Sequence, residues 1–147
     1  MVRAGAIDHI VRLARERTGG FRLHFVEVNE ADQQAGGVRF RAVRVEHDPF
    51  LDCYGYLIEC AGRVAGYSGD TRLCDGLRAI AAGSDVLVLE CNQRHGESPL
   101  HMSLDGVHTL RREFPHLPLV LTHRGPDVDG DGMANVLVPS DLETLLL

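Results

Sequence analysis

Lysine is absent from this 147-residue chain, so all fifteen of its basic residues are arginine. With 21 acidic residues the formal net charge is −6, which disfavours general nucleic-acid binding because a polyanion would be repelled. Three of the arginines crowd one segment, at Arg39, Arg41 and Arg44. We interpret them as the solvated face of a strand.

Long hydrophobic runs are also absent. No apolar stretch approaches the roughly 20 residues that a membrane helix requires. The segment 1–17 is amphipathic and charged throughout, unlike a secretory signal, and Asp8 and Glu16 argue against a mitochondrial presequence. We therefore expect a cytoplasmic protein that does not associate with membranes.

Paired cysteine motifs are missing as well. Cys53, Cys60, Cys74 and Cys91 show neither C-x-x-C pairing nor the spacing of a zinc knuckle. Three of them lie in or beside apolar segments, which favours buried free thiols over disulfides.

The residues that are present predict one α/β domain, since 44% are hydrophobic and the length suits a single core. Apolar periodicity predicts helices over 6–17, 72–82 and 103–114. Alternating or continuous apolar runs predict strands over 21–28, 38–46, 53–60, 63–67, 85–91, 117–123, 136–138 and 144–147, with a polar loop over 29–37. This order predicts a mixed sheet with helices on at least one face.

Carboxylates and imidazoles follow several of the predicted strands. Asp70 comes after strand 63–67, Glu90 lies at the end of 85–91 with His101 in the loop beyond, and His123 ends strand 117–123. Glu46 ends strand 38–46 and His47 follows it, and chemistry collects at the carboxyl ends of strands in such sheets. Aspartate and histidine together suit a divalent metal of the zinc type.

Each residue also has a simpler interpretation. Asp70 could cap the helix that follows it, His123 could be a hydrogen-bonded histidine at a strand end, and His101 could be a surface loop residue. Three other histidines are assigned to the surface, namely His95, His108 and His116. The metal hypothesis depends on the set of strand-end residues more than on any one of them.

A run rich in aspartate and glycine lies near the carboxyl end of the chain. The run DVDGDG over 127–132 matches the first half of a calcium loop. The twelfth position, which should carry a bidentate glutamate, is Val138, and no helix is predicted to follow. A turn rich in Asp and Gly is therefore preferred over a calcium site.

Five short motifs occur in a familiar order over roughly residues 38–125. They are His47 with Gly55-Tyr56, Gly69-Asp70-Thr71, Leu89-Glu90-Cys91-Asn92, His101-Met102-Ser103 and Leu121-Thr122-His123. Their order resembles the carboxyl-terminal half of a metallo-β-lactamase-fold hydrolase, and within that superfamily the branch of ribonuclease Z and related phosphodiesterases.

The resemblance implies the carboxyl-terminal half of an αββα sandwich, with a mixed sheet covered by helices. It also implies two divalent cations, zinc or manganese, with Asp70 as the bridging ligand and His123 as a terminal ligand. His101, oriented by Glu90, would act in catalysis near the scissile phosphate, and His47 would lie behind these residues. The substrate would be a phosphodiester or another hydrolysable small molecule, with RNA as one possibility.

The sequence also departs from the family pattern. The signature H-x-H-x-D-H, which supplies most of the metal ligands, is absent, and only His9, His24 and His47 precede Asp70. The tetrad LECN stands where ribonuclease Z has a HEAT-like sequence, which argues against tRNA processing. We therefore expect residues 1–147 to form a single domain that lacks the amino-terminal half of the fold and is a weak catalyst alone.

Two expectations follow for assembly. The runs that hold Leu87, Leu89, Val120 and Leu121 are too apolar for a sheet with one wet face, so self-association or binding of an amino-terminal partner segment is expected. The alternative function is a non-catalytic α/β interaction module derived from the same fold.

Overall fold

The computed structural model describes residues 28–146. Within them, seven strands form one sheet: β1 (Asp32–Ala35), β2 (Val38–Val45), β3 (Cys53–Cys60), β4 (Arg63–Tyr67), β5 (Val86–Glu90), β6 (Leu119–Thr122) and β7 (Val136–Leu137). The described residues also form two α-helices, α1 (Asp75–Ala82) and α2 (Leu104–Glu113), and a 3-10 turn at Gly130–Gly132.

The strands are ordered in space as they are in the chain. Strands β1 to β4 are antiparallel neighbours, whereas β4, β5, β6 and β7 pair in parallel. Helix α1 connects β4 to β5 and α2 connects β5 to β6, as parallel pairing requires. The mixed α/β sheet predicted from the sequence is therefore confirmed.

Local sequence accounts for the main turns. The β3–β4 hairpin turns at Ala61 and Gly62, which both adopt positive φ, as the tight turns of hairpins demand. Cys74 is the N-cap of helix α1, where its sulfur accepts the Leu77 N–H, and Ser103 is the N-cap of α2, where its hydroxyl accepts the Gly106 N–H.

One face of the sheet carries the core. Leu77 and Ile80 of α1 and Leu110 of α2 are fully buried, and they pack in one cluster with Leu87 and Leu89 of β5. Helical spacing on the helices and alternation on the strand point these side chains at each other. Both helices thus cover the same face.

The opposite face of the sheet is also apolar. Val86 and Val88 alternate with the core leucines of β5 and are half-buried, and Val120 on β6 is buried. Phe40 and Tyr56 meet edge to face on β2 and β3, with ring centroids 6.1 Å apart. The apolar character predicted for both faces of the central strands is present.

Several element boundaries differ from the predictions. The segment predicted as a polar loop contains β1, where the Asp32 carboxylate accepts a hydrogen bond from Arg41 on β2 and each residue of DQQA has a ladder partner. The predicted strand over 144–147 is wrong for 144–146, which have no sheet partner. The predicted helix over 6–17 and strand over 21–28 lie outside the described residues, Val28 excepted.

Arg94 stabilises the acidic turn over 127–132, which follows β6. The Arg94 guanidinium donates to the Asp127 carbonyl and to the Asp129 carboxylate, at 3.0 and 3.1 Å. A 3-10 turn follows at Gly130–Gly132, and no α-helix follows it among the described residues. Across residues 28–146, no helix has the length and apolarity needed to cross a bilayer.

The four cysteines are all free thiols. Cys74 and Cys91 are buried, Cys53 is half-buried and Cys60 is exposed. Burial raises the pKa of the Cys91 thiol to about 12, and the nearby Glu90 carboxylate adds to the effect. The thiolate, which is the reactive form, is therefore scarce at Cys91.

Thiol labelling should separate these environments. We expect Ellman's reagent at pH 8 to modify Cys60 quickly in the folded protein, and Cys74 and Cys91 only after unfolding in urea. A Cys60→Ser variant should lack the fast phase. Reaction of Cys91 at the rate of Cys60 would contradict the buried site.

Truncating a core leucine should cost far more than truncating an exposed one. We expect Leu110→Ala to lower the free energy of unfolding by about 2–5 kcal/mol, because it leaves a cavity between α2 and the sheet. Leu146→Ala removes the same atoms from an exposed tail and should change stability by less than about 0.5 kcal/mol. Urea denaturation measures both, and equal losses would show that the core is misassigned.

Candidate functional site

Three parallel strands end at the same edge of the sheet. Asp70 lies just beyond β4, Glu90 is the last residue of β5, and His123 directly follows β6. Register places Glu90 opposite Thr122, so His123 lies one residue beyond that pair. The sequence prediction that strand ends would gather these side chains depends on this parallel geometry.

The corner that carries Asp70 requires a glycine. Gly69 has φ +61°, a conformation that residues with a Cβ rarely adopt. A Cβ added there would lie 2.7 Å from the Tyr54 carbonyl oxygen on β3. The backbone of Gly69 therefore turns tightly against β3 before it presents Asp70.

The same corner is tied to β5 by hydrogen bonds. The buried Ser68 donates its backbone N–H to the Val88 carbonyl at 2.9 Å, and its hydroxyl oxygen accepts the Glu90 N–H at 3.0 Å. The Thr71 N–H donates to the Glu90 carboxylate. These contacts fix Asp70, which stands between Ser68 and Thr71, relative to β5.

The Glu90 carboxylate is 1% exposed, an unusual position for an ionisable group. Burial raises its pKa above the ordinary value, while the Thr71 N–H and His101 oppose that shift. His101 Nδ1 lies 2.9 and 3.2 Å from the two carboxylate oxygens. The charge of Glu90 is thus compensated by hydrogen-bond donors aimed at both oxygens.

His101 reaches Glu90 because its loop folds back onto β5. The Asn92 N–H donates to the Met102 carbonyl at 3.0 Å, and the Leu104 N–H donates to the Gln93 carbonyl at 3.0 Å. Since Glu90 receives Nδ1–H, the Nε2 atom of His101 faces away from the carboxylate. The side chain is 24% exposed, so that atom can meet a ligand.

His123 adopts an uncommon backbone conformation. Its φ is +44°, in the left-handed region that non-glycine residues seldom occupy. The Gly125 N–H donates to the Cys91 carbonyl at 3.2 Å, which holds this loop against the end of β5. His123 Nδ1 then lies 2.8 Å from Asp70 Oδ1, and both side chains are about half-exposed.

The donor set fits a divalent metal. One ligand atom each from Asp70, His101 and His123 can be chosen so that all three lie within 4.8 Å of one another. One carboxylate and two imidazoles are donors that zinc accepts in proteins, and the carboxylate of Glu90 behind His101 matches the support that ligand histidines usually have. The sequence predicted two donors from this chain, and the structure brings a third within reach.

His47 lies beside His101. Their ring centroids are 4.7 Å apart in an edge-on arrangement, and His47 Nδ1 is 2.8 Å from the Leu100 carbonyl oxygen. A carbonyl only accepts, so Nδ1 carries the proton. His47, Glu90 and His101 form a second group with ligand atoms within 4.8 Å. His9 and His24, the other histidines before Asp70, lie outside the described residues.

Sequence reasoning assigned no role to two neighbours of the site. Thr71 is fully buried, its N–H holds Glu90, and its hydroxyl donates to the Glu46 carbonyl at 3.1 Å. Arg72 follows it and pairs through its guanidinium with the Glu46 carboxylate. Their position directly after Asp70 was the available signal, since both extend the same corner.

Two cavities open beside the histidines. The smaller cavity, of about 410 Å³, is lined by residues that include Arg72, His101 and Asp105. The larger cavity, of about 710 Å³, is lined by residues that include Arg72, His47 and Leu100. His101 and His47 therefore each border a cavity.

The amino-acid sequence is similar to that of known proteins of one family. A family model described as a β-lactamase superfamily domain matches residues 2–124. A Mycobacterium tuberculosis protein whose name assigns it to ribonuclease Z is 40% identical over 52 residues, which are 35% of this chain and 23% of that protein.

Solved structures agree on the fold. A metallo-β-lactamase fold protein from Bacillus subtilis aligns with a TM-score of 0.63 and 19% identity over 84% of this chain. A diphosphatase from the PhnP family aligns with a TM-score of 0.64 and 20% identity over 91% of this chain. The chain spans 52% of the length of each of these two structures.

A side chain at Gly69 should destabilise the corner that carries Asp70. Gly69→Ala meets both a positive φ and the Tyr54 carbonyl, whereas Gly62→Ala meets a positive φ with no atom within 4 Å. We expect Gly62→Ala to cost roughly 1–2 kcal/mol and Gly69→Ala clearly more. Urea denaturation of both variants gives the comparison, and equal losses would show that the close approach to Tyr54 has no energetic role.

Proposed function

Because the chain belongs to the β-lactamase superfamily domain family, we propose that it is a metal-dependent hydrolase that acts on phosphodiesters. The observation that carries the proposal is the convergence of Asp70, His101 and His123, with donor atoms within 4.8 Å at the ends of parallel strands. The buried Glu90 behind His101 strengthens it, since a surface histidine needs no such support.

Asp70 and His123 are proposed to hold the metal, zinc or manganese. Their nearest atoms, Oδ1 and Nδ1, are 2.8 Å apart and both side chains reach solvent. When bound, a divalent cation supplies Lewis-acid polarisation of the reacting oxygen and a more acidic water. The strained backbone of His123 is consistent with a functional position, because such strain clusters at active sites.

His101 is proposed to transfer the proton. Glu90 holds its Nδ1–H and fixes the orientation of the ring, so that Nε2 exchanges a proton with the oxygen of the substrate. When His101 carries both protons, the adjacent carboxylate stabilises the imidazolium. Burial of Glu90 makes this pairing strong, since water competes little for it.

The phosphodiester assignment is supported by two similar proteins. One is named for ribonuclease Z and the other is a diphosphatase, so both names refer to phosphorus–oxygen chemistry. The motif order from His47 to His123 supports the same branch. The residues from 28 to 146 offer few metal donors, so we propose that this chain alone turns over slowly and that a further donor segment, from a partner or a second copy, raises its activity.

A non-catalytic interaction module is the second candidate. The observation that favours it is the apolar face of the sheet opposite the helices, where Phe40, Tyr56, Val86 and Val88 are only half-buried. Such a surface suits association with a partner. Measured metal affinity separates the two candidates, because an interaction module needs no divalent cation.

Metal binding should depend on Asp70 and His123 and only weakly on His101. We expect the purified chain to bind zinc, and Asp70→Asn or His123→Asn to lower its affinity at least about tenfold, because the first removes the charge of a ligand carboxylate and the second removes an imidazole. His101→Gln should retain zinc but lose the slow hydrolysis of bis(p-nitrophenyl) phosphate. Isothermal titration and the absorption spectrum of the cobalt form report binding independently of turnover.

The matched control is His116→Asn, which alters an exposed histidine in the turn before β6, at the opposite end of the sheet. It should leave both zinc binding and hydrolysis unchanged. A chain that binds no zinc, or whose zinc binding survives loss of Asp70 and His123, would disprove the proposed metal site. Zinc binding lost with His101→Gln would assign that imidazole to the metal instead.

A further inference from the structure

Arg72 is common to both cavities beside the site. Among the described residues it is the one arginine that lines the smaller cavity, which reaches His101, as well as the larger cavity, which reaches His47. Its side chain is 50% exposed, so the guanidinium borders solvent. A ligand in either cavity can therefore contact this group.

The position of Arg72 is fixed by its backbone. Its N–H donates to the Glu46 carbonyl at 2.9 Å, and the hydroxyl of Thr71 donates to the same oxygen. The guanidinium pairs with the Glu46 carboxylate, which is itself about half-exposed. An exposed pair of this kind is weak and exchanges readily, so the arginine can turn to a competing anion.

Most other charged residues that line the two cavities are acidic. Glu97 and Asp105 border the smaller cavity, and Glu46 and Asp48 border the larger one, where Arg44 is already paired with Asp52. An anionic substrate is repelled by these carboxylates and needs a compensating cation in addition to the metal. A planar guanidinium is well suited to two oxygens of one phosphoryl group.

The larger cavity also has an apolar wall. Pro49 and Leu51 come from the turn between β2 and β3, and Pro99 and Leu100 come from the loop that carries His101. The hydrogen bond from His47 to the Leu100 carbonyl joins the two segments. Leu51 is half-exposed, so this wall has apolar area free to contact a ligand.

On the basis of the proposed function, we propose that Arg72 binds the anionic group of the substrate. The wall formed by Leu51, Pro99 and Leu100 binds an aryl or nucleobase group attached to that anion. The substrate class is therefore a phosphodiester in which one of the two substituents is flat and apolar. The acidic smaller cavity takes the polar part of the molecule. Arg72 acts in recognition and not in proton transfer.

Two phosphonates that are not hydrolysed test this proposal on the full chain loaded with zinc. Phenylphosphonate offers the anion and the aryl ring, and methylphosphonate offers the anion alone. We expect the chain to bind phenylphosphonate more tightly. Arg72→Gln should weaken both ligands at least about tenfold, the usual result of losing a hydrogen bond to a charged group, while Arg72→Lys weakens them less.

Two further variants make the test specific. Leu51→Ala should weaken phenylphosphonate several-fold and leave methylphosphonate unchanged. Glu46→Gln should strengthen both ligands, because it releases the guanidinium, and damage to the fold would not produce that result. Arg63→Gln is the matched control, since it breaks an exposed arginine–aspartate pair at the opposite sheet edge. It should change neither affinity.

Isothermal titration of the two phosphonates, with zinc affinity measured for every variant, separates this inference from the proposed metal site. Loss of phosphonate binding in Arg72→Gln with zinc affinity intact supports the inference. Phosphonate affinities in Arg72→Gln within twofold of the original chain would overturn it. Equal effects of Leu51→Ala on both ligands, or absence of phosphonate binding by a chain that holds zinc, would overturn it while the metal site stands.

Discussion

The buried carboxylate of Glu90 is the constraint on which the site depends. A charged group at the end of a core strand is costly unless donors surround it, and the chain supplies them from the Thr71 N–H and the His101 ring. Those contacts fix the corner that carries Asp70 and the loop that carries His101. Removing the carboxylate would therefore loosen two segments that are far apart in sequence.

The parallel pairing of the central strands determines where the other site residues lie relative to Glu90. Because β4, β5 and β6 run in the same direction, one edge receives three successive strand ends, and short loops suffice to present Asp70 and His123. The helices on one face supply the core that keeps these strands in register. The opposite edge carries the turns that enter the strands, and it holds surface residues such as His116 and the ion pair of Arg63.

The sequence predicted the residues at the ends of the parallel strands well, but it did not predict the polar strand β1. Asp70 and His123 were expected to lie close together because continuous apolar runs predict buried parallel strands. The carboxyl ends of parallel strands lie at the same edge of the sheet, and both residues come at such an end. Strand β1 was missed because DQQA has no large apolar residue to mark a buried face, and its order depends on partners such as Arg41. The strand predicted over 144–147 is wrong over 144–146 for the opposite reason, since an apolar run forms a strand only when another strand accepts its hydrogen bonds. Thr71 was identified only as part of a motif and Arg72 only as a helix residue, because their roles come from contacts with Glu90 and Glu46, which are distant in sequence.

The left-handed backbone at His123 has a consequence for how this protein can change over generations. At that φ a glycine would relieve strain, so selection for stability alone pushes the position away from histidine. Retention of an imidazole there requires a benefit that exceeds the conformational cost. A descendant that no longer needed the His123 side chain would therefore replace it with glycine or asparagine. Glu90 would be replaced later, because its loss would leave the buried Thr71 N–H without its acceptor.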